Sequence, residues 1–163
     1  MWQVTHSATF EGLRKDAVWA AWSDVDRWHE WDPDLDFAHA PDGFNPGTRF
    51  VLKPKGGPKV NIRLLRAEPL RGYTDLTVFP LARMYGIHDM VETSDGLTLS
   101  ITIRVEGPLT RLWKTLVAQK VADEAPAQLR SLANWARQLD AQDGSGGGSH
   151  GEAATDDVQE GGG

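Results

Sequence analysis

The sequence predicts an α+β domain: a curved antiparallel sheet of about seven strands wrapped around one long C-terminal helix, with two short helices after the first strand. Three observations lead there. Leu97–Glu106 alternates apolar and polar residues at the period of a strand. Trp2–Phe10 does the same, with Trp2, Val4, His6, Ala8 and Phe10 on one side. Gly107-Pro108 then opens an amphipathic segment from Leu109 to Leu139 whose apolar residues recur at three-and-four spacing. A sheet curled around a terminal helix encloses an interior, and a ligand is to be sought there.

The elements follow in order. After the first strand, Lys15–Asp24 reads as a helix with Val18, Trp19 and Trp22 on one side. Asp24–Trp31 adds a second short helical turn, stopped by Asp32-Pro33. A short strand at Leu35–Ala40 precedes the turn residues Asp42-Gly43 and Asn45-Pro46-Gly47. Thr48–Lys55 and Lys59–Glu68 flank a Gly56-Gly57-Pro58 tip as a hairpin. Tyr73–Phe79 follows, broken by Pro80 before the strand Arg83–Val91 that carries His88. Ser94-Asp95-Gly96 turns into the last strand. In the closing helix, Leu109, Leu112, Trp113, Leu116, Val117 and Val121 share the predicted buried stripe, and Pro126 predicts a kink near Ala122–Pro126.

At 163 residues one domain is expected, spanning 1–140, with 141–163 as a disordered tail rich in glycine and acids. That tail holds five of the 23 acids and none of the 17 bases, leaving 18 acids against 17 bases elsewhere. A nearly neutral body has no electrostatic footprint for nucleic acid. Without cysteine there are no disulfides. No signal peptide or membrane-spanning run is read, so the expectation is a cytoplasmic protein, monomer or homodimer, without a cofactor.

Several stretches together carry a resemblance. They are Val18-Trp19, Trp22-Ser23-Asp24-Val25, Trp28, Trp31-Asp32-Pro33 and Pro46-Gly47-Thr48. They continue with Pro80-Leu81-Ala82-Arg83, His88, Gly107-Pro108-Leu109, Leu112-Trp113 and Ala133-Asn134-Trp135-Ala136. In this order, over about residues 2–139, the chain resembles the START-like (SRPBCC) superfamily, and within it the bacterial polyketide cyclase/dehydrase and lipid-transport branch. The resemblance implies a helix-grip fold. It departs at Gly86, where the family often has a large apolar residue, which widens the interior or marks a bulge.

His88 shares a strand face with Met84 and Met90 and supplies a polar handle in an apolar interior, or a core histidine bonded to a neighbour. Arg83 and Tyr85 point away from it. His6 faces the same interior. The expected lining is completed by Trp22, Phe50, Leu99, Ile101, Trp113, Leu116 and Val117. Asp32–Gly43 fails as a calcium loop, with Phe37 where glycine is needed and Gly43 where glutamate is needed, and no metal site is expected. Lys53, Lys55 and Lys59 around the Gly56-Gly57 tip blunt an exposed edge or weakly attract anions. The leading expectation is a module that binds a small hydrophobic or amphipathic molecule of lipid, polyketide or isoprenoid type. The alternative is a cyclase or dehydratase with His88 as acid or base.

Overall fold

A computed structural model describes residues 1–145. Seven strands form one antiparallel sheet: β1 (Trp2–Phe10), β2 (Leu35–His39), β3 (Arg49–Pro54), β4 (Val60–Glu68), β5 (Gly72–Phe79), β6 (Ala82–Thr93) and β7 (Gly96–Glu106). Their spatial order is β1-β7-β6-β5-β4-β3-β2. The first strand therefore pairs with the last, from Trp2 opposite Val105 to Phe10 opposite Leu97. Leu97, Leu99, Ile101, Ile103 and Val105 of β7 are buried, while the residues between them are half-exposed. On the convex side, Thr5 and Thr102, and Thr9 and Thr98, join hydroxyls across the strands at 2.7 and 2.8 Å.

The helices after β1 are α1 (Lys15–Ser23), a 3-10 turn (Val25–Arg27) and α2 (Trp28–Trp31). The C-terminal helix begins as α3 (Thr110–Trp113), passes through a π-helical turn (Lys114–Ala118) and continues as α4 (Gln119–Ser145). It packs on α1, β1 and β7. Its buried face is Ala118, Ala122, Ala125, Leu129, Leu132, Ala133 and Ala136. The alanines bring the helix backbone close to its neighbours, and each fully buried leucine contributes about 1.5–3 kcal/mol.

This face corrects the expected stripe. Leu112 and Leu116, placed inward by their spacing, are 46% and 61% exposed. The wider π turn separates the inward residues Trp113 and Ala118 by five positions rather than four. A four-residue step from Leu112 to Leu116 therefore stays outside. The π turn is an irregularity the spacing did not predict, and α4 stays helical through Pro126. It also enters the segment read as tail, as far as Ser145; the rest of that segment lies outside the described residues.

Candidate functional site

Strands β5 and β6 set the site. Antiparallel register places Tyr73 opposite His88, Asp75 opposite Gly86 and Thr77 opposite Met84. With a side-chain period of two, Tyr73, Asp75 and Thr77 share the concave face with Met84, His88 and Met90. The next strand contributes only aliphatic residues there, with Ile101 opposite His88 and Ile103 opposite Gly86. Polar atoms thus stand as an island on an apolar surface.

Within the island, His88 Nε2 faces Asp75 Oδ2 at 3.4 Å, with the side chains 11% and 15% exposed. Gly86 makes that contact sterically accessible. A Cβ at this position would lie 2.6 Å from Asp75 Oδ2 and 3.0 Å from its Cγ, so the carboxylate occupies the room a side chain would take. The family departure at Gly86 therefore neither widens an empty interior nor marks a bulge, since the β5–β6 register runs unbroken past it.

The Tyr73 ring stacks on the His88 imidazole, with centroids 4.2 Å apart and planes 8° from parallel. Trp22 of α1 meets both edge-on, at 5.4 Å from Tyr73 and 6.2 Å from His88. Phe44 and Trp28 approach Tyr73 at 5.1 and 6.1 Å, and Trp28 meets Phe50 at 5.4 Å. These rings lock the imidazole plane and exclude water from one side of it. Burial, reinforced by the nearby Asp75 and Asp32 charges, holds the Tyr73 phenol well above its ordinary pKa. It therefore stays a neutral O–H, and that hydroxyl makes no side-chain hydrogen bond among the described residues. Together the three groups offer a donor, an acceptor and an imidazole able to do either.

A second polar group is buried where α2 meets the C-terminal helix. Gln128 Nε2 donates to Asp32 Oδ2 at 2.9 Å, and the Asp34 N–H donates to Asp32 Oδ1 at 3.0 Å. Burial raises the Asp32 pKa above its ordinary value despite these donors. Beside it, Trp31 Nε1 is buried without a hydrogen-bond partner among the described residues.

The expected lining residues separate into groups. Trp22, Phe50, Met90, Leu99 and Ile101 are packed into the core, each 4% exposed or less. His6, Met84, Trp113 and Val117 are half-buried. Leu116 lies outside, for the reason given above. His6 and His88 share a face and both align with Ile101, one on each side of it. Two strand spacings, roughly 9–10 Å, separate them, so they form no acid/base pair by direct contact. Arg83 and Tyr85 alternate with the concave-face residues and lie on the opposite face.

Two surface clefts stand out among the described residues, and neither is lined by the expected lining residues. One, of about 420 Å³, lies between the β5–β6 turn and Gly107-Pro108. The other, of about 580 Å³, lies between Glu11-Gly12 and the β6–β7 turn. The space expected to be hollow beneath β5 and β6 is occupied by the Trp22, Trp28, Phe44 and Phe50 rings. Among the described residues no three His, Asp or Glu side chains converge as metal ligands, and no helix is long and apolar enough to cross a membrane.

Tyr73, Asp75 and Thr77 escaped the sequence reading as site residues. Their signal was there: Tyr73, Asp75, Thr77 and Phe79 alternate along one strand, so a carboxylate had to share a face with two aromatic rings.

A family model described as polyketide cyclase / dehydrase and lipid transport matches residues 1–137. No curated protein matches the chain. Among solved structures, a hypothetical protein from Helicobacter pylori superposes with a TM-score of 0.66 at 13% identity, covering 82% of this chain and 87% of its own. The di-domain ARO/CYC StfQ from the steffimycin biosynthetic pathway gives 0.66 at 13%, covering 85% of this chain and 52% of its own. Ara h 8.0201 gives 0.61 at 12%, covering 84% and 98%. At these identities the structures establish a shared fold. The family match spans nearly all of the folded region, and the chain belongs to the polyketide cyclase/dehydrase and lipid-transport family of the START-like (SRPBCC) superfamily.

Proposed function

We propose that the domain binds one small apolar or amphipathic molecule of lipid, polyketide or isoprenoid type between the sheet and the C-terminal helix. The observation that carries this reading is the Tyr73–Asp75–His88 island on a largely apolar sheet face. Such a surface suits a molecule that is mostly apolar and carries one carbonyl or hydroxyl to be oriented. The half-buried His6, Met84, Trp113 and Val117 supply the approach, and the thioether of Met84 adapts to irregular shapes. Because aromatic rings fill the deeper interior, binding moves side chains on the approach side rather than filling an existing hollow. The reading takes the domain to act in the cytoplasm, as a monomer or homodimer, with no cofactor.

The test is titration with fatty acids, prenyl alcohols and aromatic polyketides while following tryptophan emission, combined with native mass spectrometry of the purified protein. A saturable change with at least one class, and a ligand mass retained, is the expected result. No saturable response from any class would reject the reading.

One observation favours a second reading. The Asp75 carboxylate beside His88 supplies the orienting partner that an acid/base histidine needs. Under it, the domain catalyses cyclisation or dehydration of a bound carbonyl compound. His88→Leu with retained affinity and abolished turnover supports catalysis; lost affinity with no turnover in the parent supports binding alone.

A further inference from the structure

We propose that the end of the molecule formed by the β5–β6 turn and the start of the C-terminal helix docks on an anionic lipid surface. The proposal rests on residues separate from the Tyr73–Asp75–His88 island and stands or falls independently of it.

Four large apolar side chains are exposed at this end: Val78 and Leu81 at 67%, Leu116 at 61% and Leu112 at 46%. The turn and the helix start that carry them are tied together. Trp113 stacks on Phe79 with centroids 4.3 Å apart, and its indole N–H donates to the Pro80 carbonyl at 2.9 Å. The Leu109 N–H donates to the Leu81 carbonyl at 3.2 Å, which ties the helix start to the turn. Val78, Leu81 and Pro108 line the 420 Å³ cleft together.

The exposure is built in twice. Leu81 has a φ of 55°, in the left-handed region that leucine rarely adopts, and this carries its side chain into solvent at the turn tip. Gly107 holds the turn in place: a Cβ there would lie 2.5 Å from the Leu81 carbonyl oxygen. On the helix, the π turn keeps Leu112 and Leu116 outside the core, as described above.

Charge identifies the occupant. Arg83, Arg111 and Lys114 stand at this end; its one acid, Glu106, lies opposite Arg83 and pairs with Arg104, and no further acid occurs before Asp123. Residues 1–140 balance 17 bases against 18 acids, so this end is a local excess of positive charge on a nearly neutral body. Arg83, Arg111 and Lys114 are in no salt bridge among the described residues. Exposed leucines ringed by cations, over a half-buried tryptophan, match a negatively charged headgroup layer above an acyl region. The lysines at the Gly56-Gly57 tip do not compete for this role: no exposed large apolar side chain lies between Lys53 and Lys59, and Lys53 is paired with Asp36 at 2.8 Å.

The experiment is co-sedimentation of the full chain with vesicles of equimolar phosphatidylglycerol and phosphatidylcholine, against pure phosphatidylcholine. The expected result is binding to the anionic vesicles, weakened by high salt, and little to the neutral ones. The double variant Leu81→Asn/Leu116→Gln should bind about tenfold more weakly or worse. Asparagine tolerates the left-handed backbone and glutamine the helix, so the fold persists, which circular dichroism checks. Val91→Gln, which alters an exposed apolar residue elsewhere, should bind as the parent does. Absence of binding to anionic vesicles, equal binding by the double variant, or equal loss in Val91→Gln would each overturn the proposal. So would a concentration-dependent dimer that the double variant disperses, which would show a second copy covering this face.

Discussion

The two halves of the concave sheet face are covered by different chemistry. Over β1 and β7 lies the C-terminal helix, whose buried alanines and leucines share one core with Leu97, Leu99, Ile101 and Ile103. Over β3 to β6 lie the rings of Trp22, Trp28, Phe44 and Phe50, which pack on Tyr73, itself stacked on His88. The first half is mostly aliphatic, with Trp2, His6 and Phe10 half-buried along β1, and is held by burial. In the second, rigid rings hold polar groups in fixed orientations, at the cost of burying a carboxylate and an imidazole. Where a domain needs stability it uses close-packed aliphatics; where it needs oriented polar atoms it surrounds them with side chains of few rotamers.

The sharpest way to break this contrast is a cavity in the aliphatic half. Leu99→Ala or Leu129→Ala, each at fully buried positions, should cost about 2–5 kcal/mol in chemical denaturation. A loss below about 1 kcal/mol would show that the helix interface is looser than its burial implies.

A smaller effect is expected in the polar half from Gly86→Ala. The new methyl displaces the Asp75 carboxylate and should destabilise by about 1–3 kcal/mol. In an Asp75→Ala background the same substitution should cost little, because the clashing atoms are gone. Equal costs in both backgrounds would place the clash elsewhere.

At the boundary between the halves, Asp32 provides a test by pH. Its folded pKa lies above the ordinary 3.8, chiefly through burial. The folded state therefore holds the proton more tightly than the unfolded one. The corresponding stability is fully present below pH 3.8 and is lost as pH rises through the folded value. Asp32→Asn, which cannot ionise, should flatten the stability profile across that window. An unchanged slope would remove Asp32 as its source.

The smallest effect is expected on the convex face. Thr9→Ala deletes one cross-strand hydroxyl contact at the surface and should shift stability by about 0.2–1 kcal/mol. A larger loss would mean that the convex face contributes more than its exposure suggests.

Much of this fold was legible from patterns alone. Strand alternation in Trp2–Phe10 and Leu97–Glu106 depends only on which residues avoid water, and both strands lie where that alternation predicts. The helix stripe was legible downstream of Ala118 and misleading upstream. Leu112 and Leu116 have the spacing of core residues, yet the π turn from Lys114 to Ala118 changes the phase. The turn follows directly on Trp113, which stacks on Phe79, a contact between residues far apart in the chain.

The candidate site divides similarly. His88 stood out as a polar residue on an apolar strand, whereas Asp75 became its partner only through the register of β5 against β6. The same register explains Gly86, which is glycine because a neighbouring strand's carboxylate needs its space. His6 faced the right way, but the strand between it and His88 is the last in the sequence, and it carries Ile101 into the gap.

By itself, the sequence determined the succession of strands and helices and the side of each that turns inward, because these follow from local periodicity and the avoidance of water. Only the tertiary structure decided which side chains meet. Contacts such as His88 with Asp75, or Trp113 with Phe79, depend on strand order and register, which are set by the mutual fit of all elements at once.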